Sequence, residues 1–250
     1  EKNTEAKYTF SCRTLDIRFD ECINKIKEQL SALCNLTFTA NELKYLDSLS
    51  YIKPGFTEFL KDFKFNEKYV NIELDSDKQL KVNIQGPIIY TTLFEVPLLS
   101  IINECYFSNK ISEGNAWRYG EKNLNSKINF LKGSNGNIKL SEFGTRRRFS
   151  FEWHENIINK LIESNYSGFV GTSNVYFAKK YNLKPIGTMA HEWIMAHTGV
   201  TSLEESTTFA LKRWLDFYKG ELGIALTDTF TTDYFLTEFG ESLAGRYFGV

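Results

Sequence analysis

The sequence has no excess of charge of either sign. Its 250 residues include 30 Lys and Arg and 31 Asp and Glu, so the formal net charge is −1. Attraction to DNA, RNA or an anionic membrane needs a surface with an excess of positive charge. We therefore expect no nucleic-acid partner and no membrane partner. The basic residues cluster locally at Arg146, Arg147 and Arg148, which suits a small anionic ligand better than a polymer.

Cysteine is scarce, and no long apolar run is visible. Cys12, Cys22, Cys34 and Cys105 are scattered and form no CxxC pair, which is typical of reduced thiols in a cytoplasmic protein. No apolar stretch approaches the roughly 18 residues that span a bilayer. The charged start, residues 1–7, does not resemble a signal peptide. We expect a cytoplasmic location.

Several ligand-binding motifs are missing as well. The chain has neither a GxxxxGK[ST] loop nor a GxGxxG turn. His191-Glu192 begins like the zinc motif HExxH, but Met195 stands where the second histidine is required, and His197 lies on another side of the predicted helix. We therefore expect no metal site formed by the protein.

The first half of the chain predicts a mixed α/β domain, since a hydrophobic content of 42% supports a sizeable core. Alternation and helical spacing predict strands at 8–11, 70–74 and 80–84, with the last two paired as a hairpin, and helices at 18–33, 39–49, 54–65 and 88–107, the last of them broken at Pro97. Residues 108–137 are polar and rich in Asn, Lys and Gly, which predicts a loop-rich connector. The predicted domains are 1–110 and 138–250, joined by the connector 111–137.

The second half repeats one pattern, in which a short apolar run ends in small polar residues and a helix-like segment follows. The four ends are Phe143-Gly144-Thr145, Val170-Gly171-Thr172, Ile186-Gly187-Thr188 and Leu226-Thr227-Asp228. Such βα repeats predict parallel strands whose carboxyl ends meet at one rim, as in an α/β barrel. Residues 138–250 supply five such units at most, whereas a closed barrel needs eight. We therefore expect an α/β protein with an incomplete barrel.

The strand ends carry the candidate site residues. Gly-Thr pairs offer backbone N–H groups and the hydroxyls of Thr145, Thr172 and Thr188, which suit anions. Arg146 and Arg147 follow the first pair, although a run of charge is more often a solvated face. One or two of the three arginines can reach a site, and we expect the third to be structural.

The other candidates leave alternatives open. His191 can act as a base or nucleophile at the rim or can simply pack at a helix start. Asp228 can orient His191 or cap the next helix, and Ser173-Asn174 can bind substrate or cap. The surroundings of His154, with Glu and Asn beside it, predict a solvated side chain. His197 is expected near a helix C-terminus.

In these four segments, 143–147, 171–175, 187–192 and 227–230, the chain resembles nicotinate phosphoribosyltransferase of the bacterial and fungal type. The motifs come in the family's order, and the likeness extends upstream to residues 95–100 and Trp117. The resemblance implies that nicotinate displaces pyrophosphate from phosphoribosyl pyrophosphate to give nicotinate mononucleotide for NAD biosynthesis. It also implies ATP as a co-substrate, with Mg²⁺, coupled through a phosphohistidine.

The resemblance implies a role for individual residues. Phe143 would stack on the pyridine ring, Arg146 would bind phosphoribosyl pyrophosphate, and Ser173 would lie beside the substrate carboxylate. His191 would be phosphorylated, with Asp228 as its hydrogen-bond partner. Thr145, Arg147, Thr172, Asn174 and Thr188 complete the predicted substrate-binding set.

The sequence departs from the family pattern in three ways. Glu142 stands where the family usually has Asp. A segment before Glu1, whose tyrosine completes a partner subunit's site, and an Arg-His-Asp-Ser-Gly stretch after Val250 are both expected from the family. We thus expect either a piece of a longer, homodimeric protein or an inactive fragment that acts in binding or assembly. A quinolinate or nicotinamide phosphoribosyltransferase is a further alternative, but a nicotinamide enzyme carries an acid at the position of Ser173.

Overall fold

The computed structural model describes residues 4–14 and 16–250. The chain forms two compact units. The first comprises Glu1–Asp47 and Pro54–Pro185, and the second comprises Ser48–Lys53 and Ile186–Val250. These two units follow a different division from the predicted domains 1–110 and 138–250 with the connector 111–137, and that predicted division stays a prediction.

The helices and strands follow one another along both units. The strands are β1 (Glu5–Phe10), β2 (Val70–Leu74), β3 (Leu80–Pro87), β4 (Leu140–Glu142) and β5 (Phe169–Thr172). The helices of the first unit are α1 (Ile23–Cys34), α2 (Ala40–Asp47), α3 (Pro54–Asp62), α4 (Ile88–Thr91), α5 (Glu95–Lys110), α6 (Glu113–Gly133), α7 (Phe151–Glu163) and α8 (Val175–Lys180). Those of the second unit are α9 (His191–Thr198), α10 (Leu203–Tyr218), α11 (Thr232–Glu238) and α12 (Glu241–Ala244). Short 3₁₀ turns cover Glu67–Tyr69, Thr92–Phe94 and Thr145–Arg147.

The N-terminal sheet is antiparallel, with strand order β1-β3-β2. The predicted hairpin is confirmed, with Leu74 opposite Leu80 and Val70 opposite Ile84. The Asp75 carboxylate closes the turn by accepting the N–H groups of Asp77 at 3.0 Å and Gln79 at 2.9 Å. One face of β3 is buried because its apolar residues alternate along the strand.

Helices α1 and α5 cover the buried face of this sheet. Ile26 and Leu30 lie one turn apart on α1 and pack into the core with Leu98 and Ile102 of α5. Burying each such side chain stabilises the fold by about 1.5–3 kcal/mol. All four cysteines are free thiols. Burial in this core raises the pKa of the Cys105 thiol to about 11, which keeps it protonated and unreactive.

The apolar segment after β3 differs from its prediction in where it breaks. The break is the 3₁₀ turn Thr92–Phe94, and Pro97 lies in the first turn of α5. Proline is tolerated there because the N–H groups of a first helical turn have no partner within the helix. Proline therefore marks the start of the second helix.

The same segment corrects the prediction about apolar length. Ile88–Lys110 is long and apolar enough, by length and composition, to cross a membrane. Core helices of water-soluble proteins meet the same criterion. In this segment Phe94, Leu98 and Ile102 are buried in the core of the first unit. Scattered polar residues interrupt the apolar run in the sequence, but its mean hydropathy remains high enough to meet the criterion for a membrane-spanning helix.

Residues 111–137 are not the predicted loop-rich connector. Most of them form α6, a helix of 21 residues. The helix is mainly exposed, with Ile128 as its buried residue. Its sequence is therefore mostly polar, and the apolar residues at helical spacing are too few to predict a helix. Gly120 serves packing, because a Cβ there would come within 2.5 Å of the Trp153 ring. Trp117 packs edge to face on the same ring at 5.2 Å.

The βα series begins with a parallel pair, β4 beside β5. A parallel bridge from Thr172 to Pro185 continues this arrangement in the first unit. The α/β class is thereby confirmed. The strands expected at the third and fourth repeats are single bridges, since Ile224 pairs with Gly249 alone in the second unit.

The second unit is helical and has its own core. Met189, Ile194 and Leu211 are fully buried in it, and α9 packs against α10. His197 lies near the C-terminal end of α9, as predicted, but its side chain is buried. It contacts the Trp193 carbonyl oxygen through Nδ1 at 2.6 Å and packs against the Phe209 ring. His197 is therefore a core residue.

Candidate active site

The first strand end presents an aromatic ring and a hydroxyl. Phe143 follows β4 directly, and 51% of its surface is exposed. Thr145 begins a 3₁₀ turn, and its hydroxyl accepts a hydrogen bond from the Asn174 amide at 3.1 Å. An exposed ring beside a fixed hydroxyl suits a flat, polar ligand.

The three arginines after this end differ in their partners. Arg148 is largely covered, pairs with Glu104 at 3.3 Å and packs on Phe151, so it is the structural member. Arg146 pairs with Glu95 at 2.6 Å in an exposed bridge. Arg147 is exposed and has no ion pair within residues 4–14 and 16–250.

The second strand end uses some predicted side chains internally. Thr172 is fully buried, and its hydroxyl donates to Glu142 at 2.7 Å while accepting the Asn174 N–H at 3.0 Å. Asn174 caps α8 by accepting the Phe177 N–H at 3.0 Å. The capping alternative therefore holds for Asn174. Substrate contact by either side chain stays a prediction.

Ser173 is placed differently from its neighbours. Its N–H donates to the Glu142 carbonyl at 2.8 Å, which fixes its backbone. Its side chain is partly exposed, and in the described part of the chain its hydroxyl makes no hydrogen bond. The Ser173 hydroxyl is thus free to bind a ligand.

In the second unit, His191 and Asp228 meet. His191 is the first residue of α9, and its Nε2 lies 3.0 Å from Asp228 Oδ1. The side chains are 52% and 64% exposed. Asp228 does not cap α11, because Thr231 does so by accepting the Tyr234 N–H. Of the alternatives for Asp228, the pairing with His191 is the one that the structure contains. Thr188 is exposed before α9.

His154 corrects a sequence prediction, because it is buried rather than solvated. Only 1% of it is exposed, and its Nε2 lies 3.0 Å from Glu142 Oε2. The spacing of His154, Ile158 and Leu161 is the sequence signal for this position, since all three are buried on one face of α7. The polar residues next to His154 in the sequence point to other faces of the helix.

Sequence profiles and solved structures agree on the family. The profile of the nicotinate phosphoribosyltransferase (NAPRTase) family matches residues 138–250, and that of the NAPRTase N-terminal domain matches residues 1–103. A nicotinate phosphoribosyltransferase of Ralstonia pickettii is 39% identical over 98% of this chain. The chain belongs to the nicotinate phosphoribosyltransferase family.

Solved nicotinate phosphoribosyltransferases share its fold. The structure from Porphyromonas gingivalis has a TM-score of 0.91 at 30% identity, and the structure from Vibrio cholerae has a TM-score of 0.91 at 33% identity, each over 98% of this chain. The chain spans 64% of the length of the Ralstonia relative and 63% and 60% of the two structures. The family resemblance seen in the motifs is thereby confirmed.

Glu142, the departure from the family's usual Asp, is held in its charged form. Burial raises the pKa of its carboxyl, but the close contact with His154 and the hydrogen bonds that the Thr172 hydroxyl and the Gly144 N–H donate together outweigh burial, so the net pKa lies below its ordinary value of 4.5. Within the described residues, no group of three His, Cys, Asp or Glu side chains could hold a metal ion.

The lowered pKa of Glu142 predicts an acid-dependent loss of stability. A carboxyl whose folded-state pKa is depressed contributes stability above its unfolded pKa and loses it as the pH falls through the folded pKa. We expect Glu142→Gln to lower the melting temperature near neutral pH. The difference from wild type should shrink as the pH falls below about 4.5. Melting curves across this range check it, and a difference that stays constant would contradict it.

Proposed function

We propose that the protein containing this chain transfers the phosphoribosyl group of phosphoribosyl pyrophosphate to nicotinate. The product is nicotinate mononucleotide, a precursor of NAD, and ATP hydrolysis is coupled through a phosphate carried by His191. The observation that carries this proposal is the His191–Asp228 contact of 3.0 Å at the first residue of α9. Family membership supplies the substrate class.

The contact makes one ring nitrogen of His191 a nucleophile. When the Nε2–H group of a neutral imidazole donates a hydrogen bond to Asp228, the lone pair of the ring is on Nδ1. Nδ1 then attacks the γ-phosphorus of ATP, an N–P bond forms, and the bond to the ADP oxygen breaks; water later cleaves the N–P bond and releases phosphate, which completes ATP hydrolysis. Asp228 stabilises the imidazolium character that develops, and the α9 N-terminus favours the phosphate charge. Mg²⁺ would accompany ATP as its counter-ion.

The phosphoribosyl transfer needs cations more than a strong base. The pyridine nitrogen attacks C1 of the ribose, and the bond from C1 to the pyrophosphate oxygen breaks. Arg147 and Arg146 would neutralise the departing pyrophosphate, which is the preorganised charge that lowers such barriers. Arg146 can exchange its exposed partner Glu95 for phosphate, since a surface ion pair contributes about 0–1 kcal/mol.

The aromatic acid would be held by the end of β4 and the turn after β5. The exposed Phe143 ring offers a stacking face, and the free Ser173 hydroxyl can donate to a carboxylate. The Thr145 hydroxyl is a further donor for anionic groups in this unit, and in the second unit the exposed Thr188 offers donors of its own. We also propose a homodimeric, cytoplasmic enzyme that acts without nucleic acid or membrane.

A transfer assay with ring-labelled substrates tests the proposal. The full-length protein is incubated with phosphoribosyl pyrophosphate, with and without Mg²⁺-ATP, and with nicotinate, nicotinamide or quinolinate. We expect a mononucleotide from nicotinate alone, with ATP increasing its yield. Equal or better use of nicotinamide or quinolinate would point to a relative of different specificity. No product with any of the three compounds would support a binding or assembly role instead.

A further inference from the structure

We infer that Glu142 and His154 form a buried positioning pair that fixes segment 143–145, the substrate-facing turn after β4. The pair lies entirely within the first unit. Neither side chain is placed to touch substrate, since Glu142 is 9% exposed and His154 is buried. The catalytic readout of this role rests on the proposed function, whereas its structural readout does not.

The Glu142 side chain joins three elements at one point. Oε2 accepts the Thr172 hydroxyl of β5 at 2.7 Å and contacts His154 Nε2 of α7 at 3.0 Å. Oε1 accepts the Gly144 N–H of the turn itself. The Glu142 carboxylate therefore links β4 to β5 and to α7. The same carboxylate also holds the turn that follows β4.

The Glu142 backbone adds a fourth connection. Its carbonyl oxygen accepts the Ser173 N–H at 2.8 Å, so the two strand ends that carry Phe143 and Ser173 are linked directly. The Thr145 hydroxyl and the Asn174 amide form a second link across the same ends at 3.1 Å. A shift of Glu142 would therefore move both strand ends.

The Glu142 carboxylate lies in the space that a side chain at position 144 would occupy. A Cβ there would lie 2.6 Å from Glu142 Oε1 and 3.9 Å from His154 Nε2. The carboxylate thus folds directly over the turn, and a side chain at position 144 would displace it from its contact with the Gly144 N–H.

His154 is held so that it can serve as this support. Its ring packs edge to face on Phe177, with centroids 4.9 Å apart and an angle of 88° between planes. Both ring nitrogens are buried, and neither makes a hydrogen bond of regular geometry within the described residues. The 3.0 Å approach of Nε2 to the Glu142 carboxylate is the polar contact that the ring makes. Removing it leaves a buried carboxylate short of a partner, which favours movement of the carboxylate and of the turn.

The test compares His154→Leu and His154→Gln with Leu161→Ala in the full-length protein. Leu161 is buried on the same face of α7 and has no polar contact with the turn, so its truncation reports general destabilisation. Amide hydrogen exchange is measured over 142–146 and at Ser173. The KM for nicotinate, kcat, and labelling of His191 by ATP are measured on the same samples.

We expect His154→Leu to raise exchange over 142–146 by about tenfold or more and to raise KM for nicotinate by a similar factor. ATP labelling of His191 should stay at the wild-type level. His154→Gln keeps an N–H donor and should restore most of both properties. Leu161→Ala should lower the melting temperature without either local effect.

Two results would overturn the positioning role: unchanged exchange in His154→Leu, or the same pattern in His154→Leu and Leu161→Ala. If His154→Leu does not fold, Thr172→Val removes a second partner of the same carboxylate and should raise exchange at Gly144. If the wild type transfers no phosphoribosyl group, the proposed function fails, while hydrogen exchange still decides the role of the pair.

Discussion

Replacing His191 by alanine is expected to abolish the labelling of the protein by the γ-phosphate of ATP and to remove the stimulation of mononucleotide formation by ATP. The substitution deletes the ring nitrogen that accepts the phosphoryl group, so no covalent intermediate can form. Asp228 is exposed and remains solvated when its partner is removed, so the fold should tolerate the change. The measurement is acid-labile, base-stable phosphate per polypeptide, together with product formed at fixed ATP.

The other two histidines provide the controls for this experiment. His197 is buried and bonded to a carbonyl, and His154 is buried against Glu142, so neither is accessible to ATP. His197→Gln and His154→Gln should therefore retain the label. Asp228→Asn should slow labelling without moving it, because the ring keeps a hydrogen-bond partner but loses the charge that stabilises it. Label that survives in His191→Ala would refute the assignment.

Replacing Ser173 by aspartate is expected to lower kcat/KM for nicotinate selectively. The free Ser173 hydroxyl would become a carboxylate facing the carboxylate of the substrate. Like charges in contact cost several kcal/mol in a binding site, which corresponds to a loss of about 10- to 100-fold or more in kcat/KM. The hydrogen bond from the N–H group of residue 173 to the Glu142 carbonyl oxygen is retained because it involves only backbone atoms.

Alanine at the same position separates charge from simple loss of a donor. Ser173→Ala removes one hydrogen bond, whose net contribution is about 0.5–1.5 kcal/mol, or about two- to tenfold in kcat/KM. The expected order for nicotinate is therefore wild type, then alanine, then aspartate. For nicotinamide, whose amide can donate to a carboxylate, the loss in the aspartate variant should be smaller. A Ser173→Asp variant with wild-type kcat/KM for nicotinate would move the pyridine pocket elsewhere.

Local patterns predicted the parts of the fold that local interactions determine. The β2–β3 hairpin follows from strict alternation on either side of a polar turn. Helix α2 was predicted over 39–49 from helical spacing, and in the structure its start is held by a capping box, in which the Thr39 hydroxyl accepts the Glu42 N–H at 3.3 Å and the Glu42 carboxylate accepts the Thr39 N–H at 2.7 Å. In both cases the residues that decide the structure are close together in the sequence.

Such local patterns did not predict contacts between residues that are far apart in the sequence. Helix α6 was missed because its apolar side is narrow and its surface is polar. The Glu142–His154 contact joins a strand end to the middle of a helix, and neither residue signals the other. Likewise, the sequence predicted that the Thr172 hydroxyl binds an anionic ligand, whereas in the structure it donates to Glu142. Tertiary packing decides these cases.

The site was predicted best where family motif and position agreed. His191 and Asp228 were expected to pair, and they lie 3.0 Å apart although 37 residues separate them in the sequence. The arginine run was predicted to divide between structural and available members, and Arg148 is the covered one. Which side chains touch substrate stays a prediction for every member of the site.

The central claim is tested most directly by locating the phosphate in the unmodified full-length protein. The protein is incubated with Mg²⁺-ATP, digested at alkaline pH and sequenced by tandem mass spectrometry. We expect one phosphohistidine, at His191, the histidine paired with Asp228. Phosphate on any other residue, or none at all in a protein that forms nicotinate mononucleotide with ATP stimulation, would contradict the mechanism.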